Sequence, residues 1–577
     1  MPAPQPTHAS GSPEINRQPP GATTVAWPHQ GGWLAWGPAI LGAGATLAVL
    51  LTLAPELGGP GITCDEPYQV AYGKGLVWAW RQQGLGFFQP QNIARNFGWK
   101  PGGPPVHPPL GNWVLGWTHH LFDTAPNNPA AISIVGARFA PALAFGLLVW
   151  LVGVWTARME GPLAGTAAAA SVALVPRLFA HAHLAALDMF TALSVTAAAA
   201  AVARAEAGPT RWWRFALAGA VWGLAMLVRL HGVLIAVPVV AWLVWRLRRR
   251  VVLPLACWLG AGVATLYAAW PWLWLAPWDN LCQYLASGSQ RQSIHVFYWA
   301  QVWSDRQVPR HYAPLVFLVA MPAGLFLLGI VGWWARRRVA HAPAGIVLAA
   351  AMGLSLLLVF CLPGIPVYDG ERLFLPVLAL WAIGVGIGAR WLVEHPRLQA
   401  RRRLVALAIT LGIALQGSGI VLYHPCQLSH YSLLAGGLRG AERLGFEVDY
   451  WGAGVTEPLL AEGARLAAGG KLLLVPSLAP YQAPGIQITS ASLTDRQVTL
   501  VGWNRWRAEE ALGIRYGIVY RRKADLSEVP EEILHGRVVA EVARQGVWIA
   551  RLVEFTQPIG VAEIARWRQP AQGGPPP

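Results

Sequence analysis

The sequence predicts a polytopic α-helical membrane protein that carries a soluble domain of mixed helix and strand at its C-terminal end. Three observations carry that reading. Hydrophobic residues make up 54% of the 577 and charged residues only 12%, a balance foreign to soluble chains of this length. Apolar runs recur between residues 33 and 423, most of them close to the ~20 residues needed to cross a hydrocarbon core of about 30 Å. Past residue 424 those runs stop, charge rises and short alternating segments take over, the pattern of strands in a water-exposed fold.

Taken in order, residues 1–32 are rich in Pro, Gly, Ser and Thr without apolar periodicity, which predicts a disordered tail. Residues 33–55 read as a first span rather than a cleaved signal peptide, because the apolar run is long and no basic segment directly precedes it. A large first outer loop, 56–130, holds two short Trp-rich apolar patches at 75–88 and 110–122, suited to helices at the membrane interface. Further spans are expected at 131–157, 162–177, 187–205, 213–228, 231–247, 252–275, 313–334, 342–363, 372–393 and 403–423, giving about eleven crossings by the length criterion. Within the outer domain, 424–568, strands are expected at 471–475, 486–490, 516–520 and 547–555 and a helix at 431–445. Residues 569–577 form a Pro/Gly tail.

The formal charge of +16 does not indicate a nucleic-acid partner, because the basic residues lie in short clusters between apolar runs. That arrangement is topological. With the N-terminus in the cytoplasm, inner loops collect Arg158, Arg204, Arg211, Arg214, Arg246, Arg248 to Arg250, Arg336 to Arg338, Arg390, Arg397 and Arg401 to Arg403. The short outer loops hold only Arg177, Arg229, Arg291, Arg306, Arg310 and Arg372. This orientation places the multi-pass chain in the cytoplasmic membrane with its C-terminal domain outside. The five cysteines (64, 257, 282, 361 and 426) show neither CxxC nor Cys/His ligand spacing, so no zinc site or disulfide framework is indicated. A single bridge between outer cysteines stays open.

Acid side chains are scarce, 28 Asp and Glu in all, and two of them, Asp65 and Glu66, follow the first span directly. A carboxylate at a membrane surface can take a proton from a hydroxyl as that oxygen attacks an electrophile; its plainer alternative is a helix cap. Charged residues recur at other outer boundaries: His107 before Pro108-Pro109, Arg177, His181 and His183 ahead of Asp188, Arg229 with His231, and Asp369-Gly370-Glu371-Arg372. Charges at such depths are costly and have partners or a task. Lys74 and Lys100 share the first outer loop and read more simply as solvated. The Trp270 to Trp278 cluster reads as an aromatic belt. No DxD-type metal motif and no glycine-rich nucleotide loop is present.

The ordered set of Asp65-Glu66, His107-Pro108-Pro109-Leu110, Asp188 at the start of a span and Arg372-Leu373-Phe374-Leu375-Pro376 resembles the GT-C glycosyltransferases that use polyprenyl-phosphate sugars. It is most similar to the protein O-mannosyltransferase (family 39) and aminoarabinose-transferase-like group, over roughly residues 33–455. The stretch His424-Pro425-Cys426 to Asp449-Tyr450-Trp451-Gly452 resembles a bacterial subgroup of that clan. The resemblance implies a GT-C membrane domain over 33–423 and inverting transfer of a hexose, with mannose one candidate, from a polyprenyl phosphate to a hydroxyl acceptor on protein, lipid or glycan. It implies Asp65 as catalytic base with Glu66 beside it, and Arg177, Arg229 and Arg372 as cations for the donor phosphate. Asp188, His107, His181 and His183 become candidates for sugar or acceptor contacts. No cofactor is expected, and a divalent metal stays open. Two other classes compete: a transporter or lipid flippase, which would keep ionisable groups near the midplane and show repeat-like halves, and a noncatalytic member of the clan acting in envelope assembly.

Overall fold

The computed structural model describes residues 36–98, 103–123, 132–208, 210–290, 292–337, 343–527 and 529–568. The expected tails at 1–32 and 569–577, together with Lys100, Arg291 and Arg338, lie outside the described residues.

The membrane part is built on close helix contacts. Helix Gly37–Leu50 runs against Ile134–Ala173, and the approach is tight where Gly42 meets the backbone of Gly146, the small-residue contact that packs helices in lipid. The spans expected at 131–157 and 162–177 are two arms of this second element. Gly161 takes φ 85° and ψ 168°, which only glycine adopts freely, and Pro162 follows it. Gly165 then packs on Gly153 and Ala157; a straight helix would hold Gly165 and Gly153 about 18 Å apart at 1.5 Å per residue, so the chain turns back at Gly161.

Four helical stretches among the described residues are long and apolar enough to cross a membrane, 134–173, 230–250, 372–394 and 396–422. Shorter apolar helices lie at Gly37–Leu50, Trp212–Val228, Val252–Ala268 and Ala344–Val359. The segment expected as one span at 313–334 is two helices, Tyr312–Ala320 and Ala323–Arg337, bent by 111°. Pro322 sits in the break and lacks the N–H that would continue the helix. Helix Leu375–Glu394 is the buried centre, packed on 134–173 and on Ala323–Arg337. The interfacial patches resolve into helices Asp65–Gln83 and Leu110–Leu121, joined where Asn112 donates to the side-chain oxygen of Gln69 at 2.6 Å.

After Leu422 the chain leaves the bundle. A short hairpin of β1 (His295–Tyr298) and β2 (Gln301–Ser304) precedes it, between helices Pro277–Gln290 and Tyr312–Ala320. Strands β3 (Lys471–Val475), β4 (Thr499–Gly502), β5 (Tyr516–Tyr520), β6 (Arg537–Arg544) and β7 (Val547–Glu554) form a five-stranded sheet in the order β4-β3-β5-β7-β6. β3 is parallel to β4 and β5, whereas β7 is antiparallel to β5 and β6. The expected strand at 486–490 is a correction: it falls in helix Gln482–Thr489. Its Ile-Gln-Ile-Thr alternation mimics a strand, but Ile486 is buried while Ile488 is exposed, and Thr489 bonds back to the Gly485 carbonyl. The helix expected at 431–445 shortens to Gly437–Arg443 after a 3-10 turn at Leu433–Ala435. All five cysteines are free.

Candidate active site

Asp65 and Glu66 open helix Asp65–Gln83, where the unpaired N–H groups and helix dipole favour negative charge. Being adjacent on a helix, the two point different ways. Glu66 turns inward and is fully buried. Its Oε2 accepts from the backbone N–H and hydroxyl of Thr63 at 2.8 and 3.0 Å, its Oε1 from the N–H of Ala185 at 2.8 Å, and Arg138 grips both oxygens at 2.7 and 2.8 Å. The same guanidinium donates to the carbonyls of Leu53, Pro60 and Gly61. Glu66 is therefore an anchor for the Asp65 loop, and its expected place beside the base in catalysis is corrected: no oxygen remains for a substrate.

Asp65 faces a cavity of about 960 Å³ between ends of the apolar helices and the C-terminal domain. Its side chain, 21% exposed, is ion-paired with Arg372. Arg372 begins the turn into helix Leu375–Glu394 and is held from every side: its Nε lies 3.2 Å from Asp188, its Nη1 3.2 Å from Asp369, and its guanidinium sits 4.2 Å from the ring centre of Trp451. Asp188, at the start of helix Asp188–Glu206, also accepts from Arg229 at 2.7 Å. Arg229 lines the cavity, and its Nε has no hydrogen-bond partner in the structure. Asp65, Asp188, Arg229 and Arg372 thus form one alternating network, although they lie on four separate segments.

The remaining expected residues divide. His107 lines the cavity with His231; burial, aided by Arg229 and Arg372, holds its imidazole well below the usual range, so it is a neutral wall group. Arg177 is a correction. It is fully buried, paired with Glu371, donates to the His430 carbonyl at 2.8 Å and stacks on Tyr431 at 4.5 Å, away from the cavity wall. His181 lies 3.6 Å from Glu371 and 3.3 Å from the Tyr450 hydroxyl. His183 bonds the Thr52 hydroxyl at 2.8 Å and the Phe179 carbonyl at 2.7 Å, and burial pushes it down to about 3. Both histidines are buried and corrected to supports of the outer loop. Lys74 does not line the cavity, and Trp270 and Trp272 belong to an apolar cluster with Phe87 and Phe97.

Several groups were not singled out from the sequence. Asp369 and His231 lay in stretches noted for their charge. Trp451 and Tyr481 reach the cavity from beyond the membrane domain, as does Arg522, which meets Asp369 at 2.9 Å. Arg138 had a signal, an ionisable residue inside an apolar run. Asp449 accepts from the N–H groups of Trp451, Gly452 and Gly454 at 3.0 to 3.1 Å, which fixes the turn that presents Trp451. The Trp451 carbonyl accepts from the Cys64 N–H at 3.2 Å and that of Ala453 from Gly61 at 3.0 Å, so this turn also backs the Asp65 loop. Among the described residues no group of three or more His, Cys, Asp or Glu is placed to hold a metal ion.

Comparison with known proteins follows the geometry. Residues 106–275 match the family model described as dolichyl-phosphate-mannose-protein mannosyltransferase. Among solved structures, the chain is similar to ArnT from Cupriavidus metallidurans in the apo state, at 15% identity over 93% of this chain and 100% of that one, with a TM-score of 0.50. It also matches the same protein bound to undecaprenyl phosphate (15%, 93% and 100%, TM-score 0.49). A third match is the archaeal oligosaccharyltransferase AglB from Archaeoglobus fulgidus in complex with an inhibitory peptide and a dolichol-phosphate (12%, 85% and 70%, TM-score 0.48). No curated protein matches. The resemblance read from the sequence is thereby matched by a family model over residues 106–275 and by a fold similar to that of ArnT over 93% of the chain.

Proposed function

We propose that the protein is an integral membrane glycosyltransferase that moves a hexose, mannose being one candidate, from a polyprenyl phosphate to a hydroxyl acceptor outside the cytoplasmic membrane. The observation that carries this reading is the pairing of Asp65 with Arg372 on the wall of a large cavity that Arg229 also lines. In this reading Asp65 accepts the acceptor's proton while that oxygen attacks C1 of the sugar. The C1–O bond to phosphate breaks on the opposite face, the configuration inverts, and the electron pair leaves with the lipid phosphate. Arg372 and Arg229 stabilise that departing charge, since guanidinium groups grip phosphate oxygens at two points. Asp188 holds both cations in place. The chain then crosses about eleven times with its N-terminus inside, and the domain from 424 to 568 roofs the outer face. The family model matched by residues 106–275, described as dolichyl-phosphate-mannose-protein mannosyltransferase, supports a lipid-phosphate sugar donor and leaves a protein among the acceptors.

The test is transfer from undecaprenyl-phosphate mannose in vesicles containing the full-length protein. Asp65→Asn, inserted normally, is expected to abolish transfer. Undiminished transfer by that variant overturns the assignment of the base.

A further inference from the structure

Arg522 lies in the C-terminal domain, just beyond β5, yet its side chain is 5% exposed and lines the same cavity. Four of its five N–H donors are placed on protein groups. Nη1 reaches Asp369 at 2.9 Å and the Tyr450 carbonyl, Nη2 the His295 carbonyl at 3.3 Å, and Nε the carboxylate of Asp525. Arg522 is therefore committed chiefly to the protein rather than to a substrate. Its effect passes through Asp369, whose other oxygen accepts from Arg372 and from Trp451 Nε1, each at 3.2 Å. Arg372 in turn serves Asp65 and Asp188. A single guanidinium facing three carboxylates would be over-subscribed; with Arg522 taking one side of Asp369, more of the Arg372 charge is left for Asp65 and for an incoming anion.

We propose that Arg522 is a positioning residue through which the C-terminal domain sets the anion affinity of the site, by sharing Asp369 with Arg372. The inference rests on the lipid-phosphate reading above and deepens it. It makes the outer domain a working part of the site rather than a spacer.

The experiment is binding of undecaprenyl phosphate to the full-length protein in nanodiscs, with thermal unfolding run beside it. Arg522→Gln is expected to weaken binding roughly three- to tenfold, the scale for a residue that acts on a site through a neighbour. Arg522→Lys keeps most of the affinity. Adding Asp369→Asn to Arg522→Gln restores the charge balance and recovers binding toward wild type, and Asp369→Asn alone tightens it. A residue that only packs would instead show losses in every variant. Should Arg522→Gln bind like wild type, or the double variant bind no better than Arg522→Gln, the inference is overturned while the donor reading stands. Where Arg522→Gln does not fold, the Asp369→Asn variant decides, since weaker binding there overturns the proposal. A wild-type protein that fails to bind undecaprenyl phosphate, or an Arg229→Gln variant that binds it unchanged, removes the donor reading itself.

Discussion

Glu66 and Arg138, 72 residues apart in sequence and both fully buried, form a two-point ion pair that holds the helix position next to Asp65. Removing one partner of such a pair leaves a buried, unpaired charge and typically costs about 3–5 kcal/mol. Glu66→Ala is therefore expected to lower the unfolding temperature clearly, whereas Asp65→Asn, at a partly exposed position, leaves it nearly unchanged. Thermal unfolding of the two purified variants checks the contrast. Equal stabilities would remove the anchoring role.

Asp188 joins two cations that come from different helices. In Asp188→Asn, Arg229 and Arg372 lose their common counter-charge, and a displacement of about 1 Å at a catalytic group lowers turnover by on the order of 10²-fold. Steady-state transfer from undecaprenyl-phosphate mannose measures this. The expected result is a fall in kcat of about that size with the fold retained by circular dichroism.

Trp451 offers its indole face to Arg372. A buried cation–π contact of this kind contributes about 2 kcal/mol, so Trp451→Leu is expected to weaken undecaprenyl phosphate binding by roughly tenfold or more. Trp451→Phe keeps an aromatic face and recovers part of the loss. Fluorescence quenching would be ambiguous here, so the measurement is a direct lipid-binding isotherm.

Acid should release the outer loop that carries Arg372. Burial alone would raise the carboxyl of Glu371, but Arg177 and His181 outweigh it and hold it below its ordinary value of 4.5. A carboxylate with a depressed native pKa contributes stability that is complete above the unfolded value and is lost as pH falls through the folded one. Unfolding temperature is thus expected to drop below about pH 4.5 in the wild type, with the Glu371 share lost progressively in that window. Glu371→Gln is less stable at pH 7, since Arg177 is left buried without its partner, and shows a shallower acid decline. Parallel wild-type and variant curves would exclude Glu371 as the source.

Much of this site was legible before any coordinates. Asp65, Asp188, Arg229 and Arg372 all sit near the ends of apolar runs, and the distribution of arginines predicted that they share one face; the fold brings them into a single network. Boundary position could not separate a charge that faces the cavity from one that faces the protein. The role of Glu66 beside Asp65 stayed open because adjacent helical residues differ only in direction, and that direction is set by Arg138 on a distant helix. Arg177 fits every sequence criterion for a phosphate cation, yet Glu371 and Tyr431 enclose it. Arg522 was beyond reach for another reason: its relation to Asp369 spans 153 residues and depends on how the sheet domain sits on the bundle, which no local pattern encodes.

The two backbone bonds from Trp451 and Ala453 to the Asp65 loop have a consequence for biogenesis. That loop is made early in synthesis, but the residues that brace it come only after the last long apolar helix. A chain cut short before residue 450 carries Asp65, Asp188, Arg229 and Arg372 and still lacks the brace for the Asp65 loop. The arrangement of the cavity wall around Asp65 is thereby completed only by the last part of the chain to be made.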